Sequence, residues 1–222
     1  MFLIRDVPQT FVALTVWGYW TSVCVLVIRS HIRYRTPAGG LPRTARERWM
    51  WALWVPAIVL WQIFPALGAS ATSPLLATPQ AATSNALLWT IRLAAAVVAL
   101  LAFGFTIPNW FGMGRNWSMA IVPGKKCRLI TKGMFSYVRH PIYSLSILLM
   151  LATVTVTLSP AMALVAAVHV TMLCMKAISE ERYLRLVHGQ DYIDYCGRTG
   201  RFVPRWPRAA GADSEDAERR AA

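Results

Sequence analysis

Apolar residues run through this chain in long blocks separated by short polar segments. The blocks are Phe11 to Ile28, Trp49 to Gly68, Ala86 to Ile107, Ile142 to Leu158 and Ala161 to Ile178. Apolar stretches of about 20 residues read as transmembrane helices. The last two blocks are near the short limit and meet at Ser159-Pro160. Proline cannot continue a helix ladder without a break, so the junction predicts a tight turn in preference to one long kinked helix. The expected fold is all-α: a polytopic membrane protein with about five transmembrane helices.

The polar segments predict an orientation. The segment from Arg29 to Arg48 holds Arg29, Arg33, Arg35, Arg43, Arg46 and Arg48, and the next, Ala69 to Asn85, has no charge. Arg115, Lys125, Lys126, Arg128, Lys132 and Arg139 follow between Pro108 and Arg139, and the turn at Ser159-Pro160 is neutral again. Cytoplasmic loops carry the excess of Lys and Arg, so this alternation predicts the N-terminus outside and the C-terminus in the cytoplasm. The first block is expected to stay as a mature helix: it is long for a signal peptide, and arginines, not a small-x-small site, follow it.

Composition narrows the class further. Of 222 residues, 56% are hydrophobic, and Arg92 is the one ionised residue between Trp49 and Pro108. A soluble domain of this length needs more charge to cover its surface. The formal charge of +13 follows from the topology and suits anionic lipid head groups as partners. No recognised nucleic-acid fold is visible, so nucleic acid is not expected as a partner. Cys24, Cys127, Cys174 and Cys196 are scattered without metal-ligand spacing, which predicts neither zinc nor a disulfide. The chain divides into a three-helix membrane region over 1–107, a second region over 108–208, and a charged, Ala-rich tail over 209–222 expected to be disordered.

Three polar elements carry candidate chemistry. Arg139-His140-Pro141-Ile142-Tyr143 stands at the mouth of the fourth block. Pro141 suits the first turn of a helix, and the N–H groups of a helix start attract anions. The bland reading is an Arg and a His anchored among head groups. Glu180-Glu181 follows the fifth block. Adjacent carboxylates lie about 100° apart on a helix, so one can bind a ligand while the other forms a salt bridge; Arg185, four residues on, offers an ordinary surface pair. Last comes Gly189-x-x-Tyr192-x-x-Tyr195-x-x-Arg198-x-x-Arg201-x-x-Pro204. Gly197, Thr199 and Gly200 weigh against helix over the whole run, and an amphipathic helix on the bilayer is the bland reading.

Isolated polar residues inside the blocks have structural readings. Arg92, near the outer end of the third block, is expected to snorkel to head groups. His169, midway along the fifth, is expected to hydrogen-bond a neighbouring helix. Ala95 with Ala99, and Ala163 with Ala167, offer small-residue surfaces for helix packing.

Taken together, the elements from about Gly114 to Pro204 resemble the isoprenylcysteine carboxyl methyltransferase and phospholipid N-methyltransferase group of integral membrane enzymes. The resemblance rests on Gly114-Arg115-Asn116-Trp117-Ser118, Leu129-Ile130-Thr131-Lys132-Gly133, Arg139-His140-Pro141-x-Tyr143, Glu180-Glu181, Leu184, Gly189, Tyr192, Tyr195, Arg198 and Pro204. It implies S-adenosylmethionine as methyl donor, with His140, Tyr143, Glu180 and Glu181 as cofactor contacts. It also implies Arg139 and Arg198 as the catalytic pair that holds the acceptor. The chain departs from the group's pattern at Cys127, Met134-Phe135, Leu145 and His188.

The expected activity is therefore S-adenosylmethionine-dependent methyl transfer to a lipophilic acceptor, carboxylate-bearing in the first instance, at the cytoplasmic face of a bacterial-type inner membrane. A carboxylate is ionised at neutral pH and needs no general base, whereas an amine acceptor must first lose a proton. Phospholipid or other amine N-methylation is the alternative. A membrane protein that binds lipid or supports assembly without catalysis is the reading from another class.

Overall fold

The computed structural model describes residues 6–34, 45–68, 71–114 and 129–205. Arg35, Arg43, Arg115, Lys125, Lys126, Cys127, Arg128 and the tail over 209–222 lie outside the described residues. The regular elements are α1 (Val7–Tyr34), α2 (Ala45–Leu67), the short α3 (Gln80–Ser84), α4 (Ala86–Met113), a 3-10 turn at Gly133–Ser136, α5 (Pro141–Thr157), α6 (Pro160–His188) and α7 (Gln190–Arg198).

Each apolar block becomes a helix. α1, α2, α4 and α6 are long and apolar enough to cross a membrane; α5, with 17 residues, is shorter and sits at the lower limit for a span. Of the five expected spans, four form helices of full length, and the fourth block forms a shorter apolar helix. The break at Ser159-Pro160 is sharp. Leu158 adopts a left-handed conformation, φ 49°, and its N–H closes on the Val154 carbonyl at 2.8 Å. Ser159 then caps α6 by accepting from the Met162 N–H at 3.2 Å, with Pro160 in the first turn. α5 and α6 form a hairpin, as the proline predicts.

α4 packs against α5 through Ala96, Ala99 and Ala102, all buried. Their spacing of three keeps one narrow face without bulk, so the two backbones approach closely. Of the expected small-residue surfaces, Ala99 serves this contact, whereas Ala163 and Ala167 face outward. The space between α1, α2, α4 and α5 is filled by Tyr19, Trp20, Trp61, Trp110 and Leu149. Tyr19 and Trp20 meet edge-on at 5.4 Å, and Trp20 and Trp61 at 5.9 Å, the geometry favoured by the ring quadrupole. Outside, Leu100, Leu101, Phe105, Leu148, Leu151 and Leu164 are exposed. An apolar exterior over helices of this length is a surface for lipid.

The two isolated polar residues of the apolar blocks, His169 and Arg92, behave differently from one another. His169 accepts from Trp54 Nε1 at Nδ1 (3.1 Å), and its Nε2 lies 3.1 Å from Ser146 Oγ, the interhelical hydrogen bonding expected. Arg92 corrects the expectation of snorkelling. It is fully buried and turned inward, paired with Asp6 and bonded to the carbonyls of Val156 (2.6 Å) and Ala82 (3.1 Å). A satisfied guanidinium inside the bundle needs no route to the head groups.

Candidate active site at the open end of the hairpin

α6 is 29 residues long and α5 only 17. Because they begin from a common turn, α6 outruns its partner, and its residues after about position 177 stand level with the loop that enters α5. At about 1.5 Å per residue α6 spans roughly 43 Å, more than the hydrocarbon core of about 30 Å. Glu180 and Glu181 ride on this overhang, facing Arg139 and His140. His140 is the residue that opens α5, with Pro141 behind it in the first turn, as the sequence predicts.

Gly189, at φ 52°, ends α6 and turns the chain into α7. Helix continues through Gly197 to Arg198, further than the glycines suggest, and stops before Arg201. The chain then lies along the entry to α5. Arg139 N donates to Gly200 O (2.8 Å), His140 N to Arg201 O (3.1 Å), and Gly200 N to Tyr137 O (3.2 Å). Ser144 Oγ adds a bond to Phe202 O at 2.6 Å, and Tyr195 OH one to Phe135 O at 2.6 Å. Gly200 is required here by space: a Cβ would come within 1.7 Å of the Val203 carbonyl oxygen.

The clamp places two carboxylates in different surroundings. Glu181 is 2% exposed. Arg201 grips it with Nε at 2.9 Å from Oε1 and Nη2 at 2.8 Å from Oε2. Arg139 Nε reaches Oε1 at 3.0 Å, and Arg185 stands at 3.9 Å. Arg139 also donates to the carbonyls of Cys196 and Thr199, tying α7 to the mouth of α5. Bidentate Arg–carboxylate pairs of this kind are strong and directional. The Glu181 carboxylate holds the Arg201 guanidinium above its usual range. Burial pushes the Tyr195 hydroxyl up to about 12, and burial likewise raises Tyr192, so both phenols stay protonated at neutral pH.

Glu180 is more open, with its side chain 22% exposed. Tyr143 OH donates to its Oε1 at 2.6 Å. Its Oε2 has His140 Nδ1 at 3.7 Å, beyond hydrogen-bond reach, and Lys176 Nζ stands 3.7 Å from Oε1. His140 stacks on Tyr143 with centroids 5.2 Å apart and planes 5° from parallel. Its Nε2 lies 3.4 Å from Glu181 Oε1 without hydrogen-bond geometry, and is buried with no hydrogen-bond partner among the described residues. A buried polar nitrogen left in this state calls for a ligand or water.

The structure thus brings Arg139, His140, Tyr143, Glu180 and Glu181 into one cluster. Arg198 stands apart: it is exposed at the end of α7, with no ion pair or hydrogen bond among the described residues. The sequence reading missed Lys176 and Trp54. Lys176 precedes Glu180 by four residues, the spacing of a helical ion pair, and this was the available signal. Trp54 comes from α2 and carried none. Of the departures, Leu145 is buried in the α4–α5 core, and Met134 Sδ accepts from Asn109 Nδ2 at 2.9 Å. His188 Nε2 is buried without a partner among the described residues.

Two curated proteins share part of this chain. The nickel-cobalt-cadmium resistance protein NccN of Alcaligenes xylosoxydans xylosoxydans is 29% identical over 108 residues, 48% of this chain and 51% of that protein. The cobalt-zinc-cadmium resistance protein CzcN of Cupriavidus metallidurans is 31% identical over 108 residues, 48% of this chain and 50% of that protein. The match therefore spans about half the length of these relatives. Residues 94–186, which build the hairpin and carry Arg139, His140, Tyr143, Glu180 and Glu181, match the model of the isoprenylcysteine carboxyl methyltransferase (ICMT) family.

Proposed function

We propose that this protein is a membrane methyltransferase that uses S-adenosylmethionine to methylate a lipophilic acceptor at the face bearing Glu180 and His140. The observation that carries the reading is the division of labour between the two carboxylates. Glu181 is consumed by Arg139 and Arg201, whereas Glu180 Oε2 makes no hydrogen bond among the described residues and stands beside His140, whose buried Nε2 has the Glu181 carboxylate at 3.4 Å but no hydrogen bond among those residues. S-adenosylmethionine, the donor of the ICMT family, supplies a methyl group activated on a sulfonium. The residues present fit it: a carboxylate for its ammonium, an imidazole nitrogen and a helix start for its carboxylate, and aromatic rings for its flat parts.

The chain's own contribution is orientation and charge. Glu181 fixes Arg139 and Arg201, and through them the chain from α7 across the mouth of α5. Tyr143 fixes Glu180. Arg198, exposed and without an ion pair or hydrogen bond among the described residues, is the residue proposed to take an anionic group on the acceptor. A carboxylate acceptor needs no proton removed, and the site offers more cations than anions, so carboxyl methylation is the favoured chemistry and amine methylation the alternative. The alternation of basic and neutral loops along the sequence supports a cytoplasmic position for this face in an inner membrane. Cysteine introduced at the exposed Leu186, in a background lacking other cysteines, should resist impermeant reagents in intact cells.

Calorimetry with S-adenosylmethionine in detergent, followed by transfer of labelled methyl to a membrane lipid extract, tests the function. Binding with base-labile label supports carboxyl methylation, and base-stable label supports N-methylation. Absence of binding by the folded protein overturns the enzymatic reading in favour of a lipid-binding or assembly role.

A further inference from the structure

Lys176 sits in an unusual place for an ammonium. Its Nζ is 5.3 Å from the Tyr143 ring centroid, 5.6 Å from the Trp54 ring centroid and 3.7 Å from Glu180 Oε1. Two aromatic faces and a carboxylate form the set of groups that recognises organic cations. The three walls come from α2, α5 and α6, and Met172, Leu173, Ile147 and Met50 pack behind Trp54 and Tyr143.

The walls are held without the lysine. Trp54 is anchored by its bond to His169 at 3.1 Å, and Tyr143 by its bond to Glu180 at 2.6 Å and its stack on His140. Lys176 itself is held loosely. Its ammonium has three donors to satisfy, yet among the described residues it makes no hydrogen bond, and its ion pair is 3.7 Å long. Its side chain is 15% exposed and that of Glu180 22%, so the cage opens to the outside. A compact ammonium is strongly hydrated and gains little from such a seat, while a flexible four-carbon stem lets it leave for the head-group layer.

We infer that Trp54, Tyr143 and Glu180 form a subsite for the cationic end of the methyl donor, and that Lys176 is its displaceable internal occupant. The inference rests on the S-adenosylmethionine reading above and adds to it a built-in competitor. A sulfonium, which has no N–H to leave unsatisfied, loses less than an ammonium on entering an aromatic cage. Donor binding and release of Lys176 are then one event, and apparent affinity is lowered by the fraction of time the lysine is in place.

The experiment measures S-adenosylmethionine affinity by calorimetry in detergent for the parent, Lys176→Met, Lys176→Gln, Lys176→Arg and Trp54→Leu. S-adenosylhomocysteine, whose sulfur is neutral, is run beside it, with thermal unfolding as the control for fold. Removing the occupant should tighten binding, by about tenfold if Lys176 fills the cage nine-tenths of the time. Lys176→Arg, whose guanidinium stacks on both rings, should bind no more tightly than the parent, and Trp54→Leu should bind more weakly. A larger gain for S-adenosylmethionine than for S-adenosylhomocysteine places the sulfonium in the cage; equal gains place the ammonium there. Unchanged or weaker binding in both folded Met and Gln variants, with binding intact in the parent, overturns the occupant and leaves the methyl-donor reading standing. No binding in the parent or in any variant overturns both.

Discussion

Arg92 and Asp6 form an ion pair inside the helical bundle, at the end opposite the charged cluster. The same guanidinium also satisfies a carbonyl at the end of α5. Within α5 and its continuation, the Val156 carbonyl would accept from residue 160, but Pro160 has no N–H to give. Arg92 Nε donates to that carbonyl at 2.6 Å, its Nη1 to Ala82 O at 3.1 Å, and its Nη2 to Asp6. One side chain thereby joins the start of α1, the turn at α3, α4 and the end of α5.

Removing one member of this pair should be costly. Arg92→Met leaves the Asp6 carboxylate buried and the Val156 carbonyl unpaired, and breaking a buried pair costs about 3–5 kcal/mol. Asp6→Asn combined with Arg92→Met should be less destabilised than the sum of the single variants, since the pair is lost only once. Thermal unfolding in detergent measures both. An Arg92→Met protein as stable as the parent would show that the pair contributes nothing.

The two carboxylates of the site should respond oppositely to the same chemical change. Glu181→Gln deprives Arg139 and Arg201 of their shared anion, and should destabilise the fold at the mouth of α5 by about 3–5 kcal/mol. Glu180→Gln should leave stability nearly unchanged and weaken S-adenosylmethionine binding. Loss of a charged hydrogen bond of about 1.5–3 kcal/mol corresponds to roughly ten- to a hundredfold in affinity. Unfolding and calorimetry on the two variants separate the roles; equal behaviour in both assays would contradict the assignment.

Two glycines three residues apart should differ just as sharply. Gly197 lies within α7, and a Cβ added there would meet nothing within 4 Å, while a Cβ on Gly200 would meet the Val203 backbone at 1.7 Å. Gly197→Ala should be tolerated or stabilising by up to about 1 kcal/mol, as in any helix interior. Gly200→Ala should push the chain off the entry to α5, separate Arg201 from Glu181, and abolish turnover. Limited proteolysis after Arg201 and Arg205 offers a direct readout of that release; a Gly200→Ala protein as resistant to cleavage as the parent would disprove the clamp.

Acceptor chemistry should appear at Arg198. The residue is exposed, and its side chain makes no hydrogen bond or ion pair among the described residues, so Arg198→Lys should unfold at the parent temperature. It retains charge but loses the planar fork that matches a carboxylate. Turnover should fall by about tenfold or more while S-adenosylmethionine affinity holds, because the group orients the acceptor and not the donor. Near-normal turnover, with only membrane association responding to salt, would assign Arg198 to lipid phosphates.

What the sequence determined by itself was everything set by neighbours along the chain. Long apolar blocks admit only helices in lipid, because each backbone group must find its partner within the segment. Ser159-Pro160 divides the hairpin, and Pro141 starts α5, because a proline's missing N–H acts at its own position. Tertiary structure decided what depends on distant partners and on helix phase. Arg92 turns inward because its counter-ion stands 86 residues earlier, a relation no local pattern records. Which of Glu180 and Glu181 becomes the buried anchor follows from how α6 is rotated against the mouth of α5, since neighbours on a helix point about 100° apart. The seat of Lys176 needed Trp54 from α2 and Tyr143 from α5 as well as its own helix, and three helices meet only when the bundle packs.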